Sequence, residues 1–313
     1  MLLFLLRRLL SGAVVLAAVC CLAFLLLFFS TDDVASTILG EQATPDQIAA
    51  KNAELGLDRP LLERLAEWWA GALTGDFGAS WFNNETVVAA LAARLPVTLA
   101  VVAVAIVAIG VIATALGTTA AVRRGRADRA VQIGAAIGDA LPSFLIGLLL
   151  VSLFVVALPW FPAVSTIAPG SGIGPWVASL TLPMIALLIN GVAASAQQVR
   201  GAVLTQMSRD HVRTLCSRGL PEREILVRHV LRSAAPAGLT VLSLQFIGML
   251  SAVVVLEQVF ALPGVGTLAV SATTIGDLPL VMGVVAYTTV IVVVVNLLVD
   301  VANGWLNPKV RVA

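Results

Sequence analysis

Six long apolar runs divide the chain, and the polar stretches between them differ in length. The first run covers residues 9–29, behind Arg7 and Arg8. A signal peptide has a shorter apolar core and a small-residue cleavage site, so this run is expected as a retained helix. The others cover residues 96–122, 131–158, 177–199, 237–260 and 280–301. Each is long enough to cross the ~30 Å of a bilayer's hydrocarbon as a helix. Pro96 is expected to open the second run. Pro142 should kink the third, and Pro183, Asn190 and Gly191 interrupt the fourth.

The polar stretches carry their own patterns. Within residues 30–94, Thr44-Pro45-Asp46-Gln47 reads as a capping box with proline at the first helical position, and the helix it starts should end near Leu55, at Gly56. Leu61, Leu62, Leu65, Trp68, Trp69 and Leu73 then make one face of an amphipathic helix. That face suits either the membrane interface or a core within this small region. Residues 123–129 form a basic turn, and residues 160–176 a Pro- and Gly-rich loop. Pro263, Gly264 and Gly266 mark a tight turn before a short helix over residues 268–274. No internal repeat is present.

The longest polar interruption in the second half is residues 208–236, which reads as two short helices joined at Gly219. Ser208 is expected as the N-cap of the first, with Asp210 in its first turn. Val212, Leu215 and Cys216 form a narrow apolar stripe. Gly219 should take a left-handed backbone, with Leu220 folding back on Leu215 as in a Schellman motif. Pro221 starts the second helix, and Pro236 marks where it gives way to the next span. A short helix with a small apolar stripe and charged flanks is shaped to dock into a partner's groove. A solvated loop whose arginines fix topology fits the same spacing.

Composition narrows the class. The chain is 59% hydrophobic and 12% charged, with a mean hydropathy of +0.99, which places it among polytopic helical membrane proteins. Net charge is near zero, so there is no nucleic-acid signature. Cys20, Cys21 and Cys216 do not suggest a disulfide framework. The lysines are Lys51 and Lys309, and neither lies in a P-loop motif, so the chain is not itself an ATPase. His211 and His229 have no metal-ligand partner at suitable spacing. Arg7, Arg8, Arg123, Arg124, Arg126, Arg129, seven arginines between Arg200 and Arg232, Lys309 and Arg311 fall on one side of the six runs. Lys51, Arg59, Arg64 and Arg94 fall on the other, among the acids Asp32, Asp33, Glu41, Asp46, Glu54, Glu63, Glu67, Asp76 and Glu85. This asymmetry puts both termini and the central loop in the cytoplasm.

Acids inside apolar runs are functional candidates, because each is costly there. Asp139, Glu257 and Asp300 qualify, with Glu257 and Asp300 near helix ends where interfacial water is expected to reach them. Interfacial or capping carboxylates are the plainer reading. Ser143, Ser152, Asn190, Ser195, Gln197, Gln198, Gln245, Gly248, Ser251 and Asn296 either let helices approach or line an aqueous path.

The segment Asp210-His211-Val212-Arg213-Thr214-Leu215-Cys216-Ser217-Arg218-Gly219-Leu220, followed by Arg228-His229 and Pro236, resembles the EAA loop of binding-protein-dependent ABC importer permeases, and more closely their dipeptide/oligopeptide branch. Glu54-Leu55-Gly56-Leu57-Asp58-Arg59-Pro60, Gly75-Asp76-Phe77-Gly78, Arg94-Leu95-Pro96-Val97-Thr98-Leu99, Leu141-Pro142-Ser143-Phe144, the stretch from Val259 to Gly266, and Asn296-Leu297-Leu298-Val299-Asp300 resemble that branch in order along nearly the whole chain. The departures are Leu215 at the motif's second alanine, Ala235 before the closing proline, and Asp32-Asp33-Val34 where the branch has Gly-Asp-Pro.

The resemblance implies an all-α, type I importer fold of six transmembrane helices with a cytoplasmic coupling helix. It implies an N-terminal helix over residues 1–29, an extracytoplasmic region over 30–94, a permease core over 95–303 and a short tail over 304–313. Asp210, His211, Val212, Arg213, Thr214, Leu215, Arg218 and Gly219 would contact the ATPase. Ser143, Asn190, Gln197, Gln245, Ser251 and Asn296 would line a substrate path. Glu257, Pro263, Gly264 and Gly266 would form an outer gate. The expected partners are a second permease subunit, two cytoplasmic P-loop ATPase domains, an extracytoplasmic solute-binding protein and membrane lipid. The chain would bind no cofactor, with ATP and Mg held by the ATPases, and would do no covalent chemistry in the bacterial inner membrane. Peptides are the expected cargo. Nickel chelates, glutathione or another small solute fit the same family. An ion-coupled transporter using Asp139 or Glu257, or a purely structural membrane subunit, would be a different class of protein.

Overall fold

The computed structural model describes the backbone of residues 2–29, 34–40, 42–123, 125–168 and 170–306. Asp32, Asp33, Glu41, Arg124, Lys309 and Arg311, all used above, lie outside the described residues. The described residues build thirteen α-helices: α1 (Leu2–Phe28), α2 (Val34–Leu39), α3 (Pro45–Glu54), α4 (Leu61–Thr74), α5 (Val87–Val122), α6 (Arg126–Ala140), α7 (Ser143–Val151), α8 (Ile173–Met207), α9 (Asp210–Ser217), α10 (Glu222–Glu224), α11 (Leu231–Val259), α12 (Val265–Ile275) and α13 (Leu278–Leu306). Two π-helical segments, Ser152–Ala157 and Ile225–Val230, extend α7 and join α10 to α11. The chain divides into two compact units, Met1–Thr98 with Pro263–Val294, and Leu99–Leu262 with Val295–Ala313.

The first unit has two apolar clusters. Val87, Ala90 and Leu91 of α5 pack with Val265, Leu268 and Ala272 of α12 and with Leu280, Val281 and Val284 of α13. Only a glycine allows α13 so close to α5, since a Cβ on Gly283 would lie 2.1 Å from Val87 Cγ1. Cys20 and Phe24 of α1 pack with Leu278, Met282 and Ala286 of α13, and Leu65, Trp68 and Trp69 of α4 cover them. The amphipathic helix therefore buries part of its face in a core of its own, while Leu62 and Leu73 stay 76% and 81% exposed. The capping box forms as the sequence predicts. The Gln47 N–H donates to Thr44 Oγ1, the Thr44 N–H donates to Gln47 Oε1, and Gly56 follows α3 at φ +66°. Pro96 does not open a helix. α5 starts nine residues earlier, where the Thr86 hydroxyl oxygen accepts the Ala89 N–H. Membrane helices tolerate an interior proline because freed carbonyls find other partners.

The second unit is a set of closely approaching helices. A Cβ on Gly117 would lie 2.6 Å from the Ala196 carbonyl oxygen, and one on Gly138 2.9 Å from Ala193 Cβ. One on Gly147 would lie 2.8 Å from Leu256 Cδ2, and one on Gly191 2.3 Å from Ile109 Cδ1. These contacts draw α5, α6, α7 and α11 onto α8 or one another through small residues, as membrane helices pack. The expected third span is broken rather than kinked. α6 and the α7 segment meet at 87°, with Leu141 extended and Pro142 preceding α7. Proline disfavours a helical residue before it and offers no N–H, so the ladder stops there. Among the described residues five helices are long and apolar enough to cross a membrane, or six if the bent pair is one span. Pro183 and Pro236 sit inside α8 and α11. Pro236 therefore does not end the loop's second helix, which runs through the π segment into the span.

Candidate coupling surface and path

α9 is built by local rules and fixed by tertiary ones. Ser208 is not its N-cap. Its hydroxyl donates back to the Thr205 carbonyl at 2.9 Å and it closes α8, leaving extended Arg209 to precede α9 without a side-chain cap. The far end matches expectation. Gly219 has φ +77°, its N–H donates to Cys216 O, and the Leu220 N–H reaches Leu215 O at 3.4 Å. These are the two bonds of a Schellman motif.

The apolar stripe of α9 does not face outward. Val212 is 6% exposed and packs with Ala121, Val203, Ile225, Val230 and Ala234, with Leu215 and Leu220 against the same cluster. Val212 and Leu215 are thus anchors to the chain's own α5, α8 and the base of α11, not free knobs. Cys216, expected in the stripe, is exposed. The outward face carries Asp210, His211, Arg213, Thr214, Arg218 and Gly219, all exposed. Arg213 lies 3.8 Å from Asp210, and the Thr214 hydroxyl donates to the Asp210 carbonyl. The surface is polar, with two arginines and one acid. Nearby, Asp128 of α6 receives a bidentate pair from Arg200 of α8, at 2.5 and 2.7 Å, which ties the basic turn to the helix leading into α9.

The expected path residues scatter. Asn190 is half-buried, and its amide reaches the Gly138 and Leu141 carbonyls at 3.4 Å, where the α6–α7 break leaves acceptors free. Asn296 accepts from the Ser243 hydroxyl at 2.6 Å, linking α13 to α11. Both amides serve helix packing. Gln245 is half-buried beside Gly191, and Ser143 is half-buried at the start of α7. Gln197 and Ser251 are exposed on α8 and α11.

Glu257, expected within reach of interfacial water, is 0% exposed. The chain reverses after it at Ala261, φ +48°, where the Leu262 N–H donates to the Glu257 carbonyl at 2.9 Å. The turn's left-handed residue is thus an alanine, not one of the glycines. Gly264 is extended and precedes α12, whose range takes in the predicted 268–274 helix, and Gly266 is buried in it, while Pro263 is exposed. Asp139 is exposed and Asp300 half-buried. Among the described residues no group of three His, Cys, Asp or Glu side chains could hold a metal.

Asp277 was not legible in the sequence. It is 0% exposed and precedes α13. Its carboxyl accepts the Ser80 hydroxyl at 2.5 Å, the Trp81 N–H at 3.5 Å, and the Leu280 N–H of the helix it caps. Burial pushes this carboxyl above the usual carboxylate range, against the hydrogen bonds. A turn of Gly276-Asp277-Leu278-Pro279 offers a hint of an N-cap, but nothing local announces Ser80.

Residues 113–312 match the family described as binding-protein-dependent transport system inner membrane component, and residues 1–102 match the N-terminal region of such membrane components. The chain belongs to this family of ABC-importer permeases, with an all-α fold of several membrane-spanning helices. A probable peptide ABC transporter permease protein of Sinorhizobium fredii is 34% identical over 280 residues, 89% of this chain and 90% of that one. A putative peptide transport system permease protein of Brucella abortus is also 34% identical, and the glutathione transport system permease protein of Escherichia coli 31%, each over 89% of both chains.

Proposed function

We propose that this permease forms half of the membrane path of an importer for di- and oligopeptides and that α9 is its contact with a cytoplasmic ATPase. The cargo reading rests on the relatives named for peptide transport across nearly the full chain. Glutathione is the second reading, carried by the 31% relative. The coupling reading rests on one observation: α9 is pinned to the chain's own core by Val212 and Leu215 while its other face is polar and exposed. A helix held this way transmits a push without deforming. Because the anchors also pack on α5 and the base of α11, movement of α9 moves the spans.

In this assembly the chain itself does no covalent chemistry, and ATP and Mg belong to the ATPase subunits. A second permease subunit supplies the other half of the path, and a solute-binding protein delivers cargo to the opposite face. The excess of arginines on one side of the spans supports a cytoplasmic position for α9 and both termini. Gly219→Val tests the coupling role. The site has open space, so the cost is backbone strain alone, about 1–2 kcal/mol. The variant should insert and assemble normally, and cargo-stimulated ATP hydrolysis should fall several-fold in proteoliposomes of the complete transporter. Unchanged stimulation would remove α9 from the coupling route.

A further inference from the structure

The segment between α1 and α5 holds a polar arrangement that coupling does not use. Arg64 of α4 is 9% exposed, and its guanidinium carbon lies 5.2 Å from the centroid of the Phe28 ring. Its acidic neighbours do not serve it. Glu63 and Glu67 both turn to Arg59, at 2.8 and 2.5 Å. Among the described residues Arg64 has no carboxylate and no hydrogen-bond acceptor, and burial alone lowers its pKa. One turn along, the indole Nε1 of Trp68 is buried and has no acceptor among the described residues. Both groups line one concavity of about 290 Å³, walled by Phe24, Trp81 and Pro279, with the Arg59–Glu67 pair and Asp76 also lining it.

A buried guanidinium and a buried N–H without acceptors share one deficit, and an oxyanion fills it. Glu67 is held through both carboxylate oxygens by Arg59, so the exposed Asp76 is the carboxylate left to meet an ammonium. The concavity thus sets a buried guanidinium and a buried N–H against an exposed carboxylate. We propose that it holds the headgroup of an ethanolamine phospholipid, with the phosphate on Arg64 and Trp68 and the ammonium toward Asp76. The surroundings favour a lipid over a soluble zwitterion. Phe24 and Pro279 come from the ends of two spans, and beyond them Leu25 and Leu26 of α1, and Phe29 just after it, are exposed, giving acyl chains an apolar surface to follow. Leu62 and Leu73, exposed on α4, sit at helical spacing with Trp69 between them and suit the same interface. The lipid would clamp α4 to the bilayer.

The test is native mass spectrometry of the full chain, purified from nanodiscs of equimolar phosphatidylethanolamine and phosphatidylcholine. Wild type should retain one ethanolamine lipid. Arg64→Met should lose it at least tenfold and Trp68→Phe, which keeps an aromatic ring but not the donor, about threefold. Asp76→Asn should narrow the preference over choline lipid. Trp68→Phe and Asp76→Asn carry the test if Arg64→Met fails to fold. Equal retention in wild type and these variants would overturn the proposal. So would a saturable melting shift with a free zwitterionic dipeptide that vanishes in Arg64→Met without any lipid being retained. A third overturning result concerns Asp32 and Asp33. If Asp32→Asn with Asp33→Asn lowers the melting temperature as much as Arg64→Met, with lipid retention the same in all, Arg64 is satisfied within the chain.

Discussion

Val212→Asp should uncouple the transporter while leaving the spans in place. Val212 sits in a cluster with Val203, Ile225, Val230 and Ala234. A carboxylate there has no cation in the cluster, and an uncompensated buried charge costs about 3–5 kcal/mol. A helix of eight residues cannot absorb that, so α9 should lift from its seat rather than bury the charge. Val212→Ala is the graded control, at about 2 kcal/mol for two lost methyl groups and the gap they leave. Two readouts separate the outcomes. Hydrogen exchange at residues 210–220 should rise strongly in Val212→Asp, moderately in Val212→Ala, and little in α8. Cargo-stimulated ATP hydrolysis should drop at least tenfold in the first and less in the second. Normal stimulation with fast exchange would mean that a rigid α9 is not required.

Asp277→Leu should destabilise the first unit by about 3 kcal/mol or more. It strands the Leu280 N–H, the Trp81 N–H and the Ser80 hydroxyl, and each buried group left unpaired costs about 1–3 kcal/mol. Asp277→Asn keeps an acceptor in place and should melt within a few degrees of wild type. The pair also fixes a pH dependence. Burial raises this carboxyl, so the folded chain holds the proton more tightly than the unfolded chain. Its contribution is full below the ordinary carboxylate pKa and is lost as pH rises through the elevated folded value. Wild type should therefore lose stability over that rise relative to Asp277→Asn, measured as the difference in melting temperature across a pH series in detergent. Parallel curves would mean that Asp277 is ionised throughout.

What could be read from sequence follows the range of the interactions. The capping box at Thr44, the stop at Gly56 and the Schellman turn at Gly219 are set within six residues, and each forms as expected. Membership in the permease family was equally legible, because motifs in order along the chain carry it. Prolines misled. Pro96 and Pro236 look like boundaries by soluble-protein rules, yet both lie inside membrane helices, whereas Pro142 stands at a true break. The residue before it and the acceptors around it decide that, and Asn190, 48 positions later, is one of the groups that meets them. The apolar stripe of α9 was visible, but not which side of the helix would be consumed by the chain itself. Ser80 with Asp277, and the burial of Glu257, depend on segments far apart in sequence or on the packing around a helix end, where periodicity carries no information.

The π-helical segment Ile225–Val230 gives the join between α9 and the span a spare link. A π turn holds an extra residue within a helix that is otherwise α. Removing one residue there lets the ladder rewind to the ordinary winding with little displacement of either end. Removing one from the middle of α11 would turn every later side chain by about 100° and break its contacts. Length can therefore drift by a single residue at the foot of this span without rotating the face it shows to its neighbours, and that foot is where the chain meets the surface proposed to drive it.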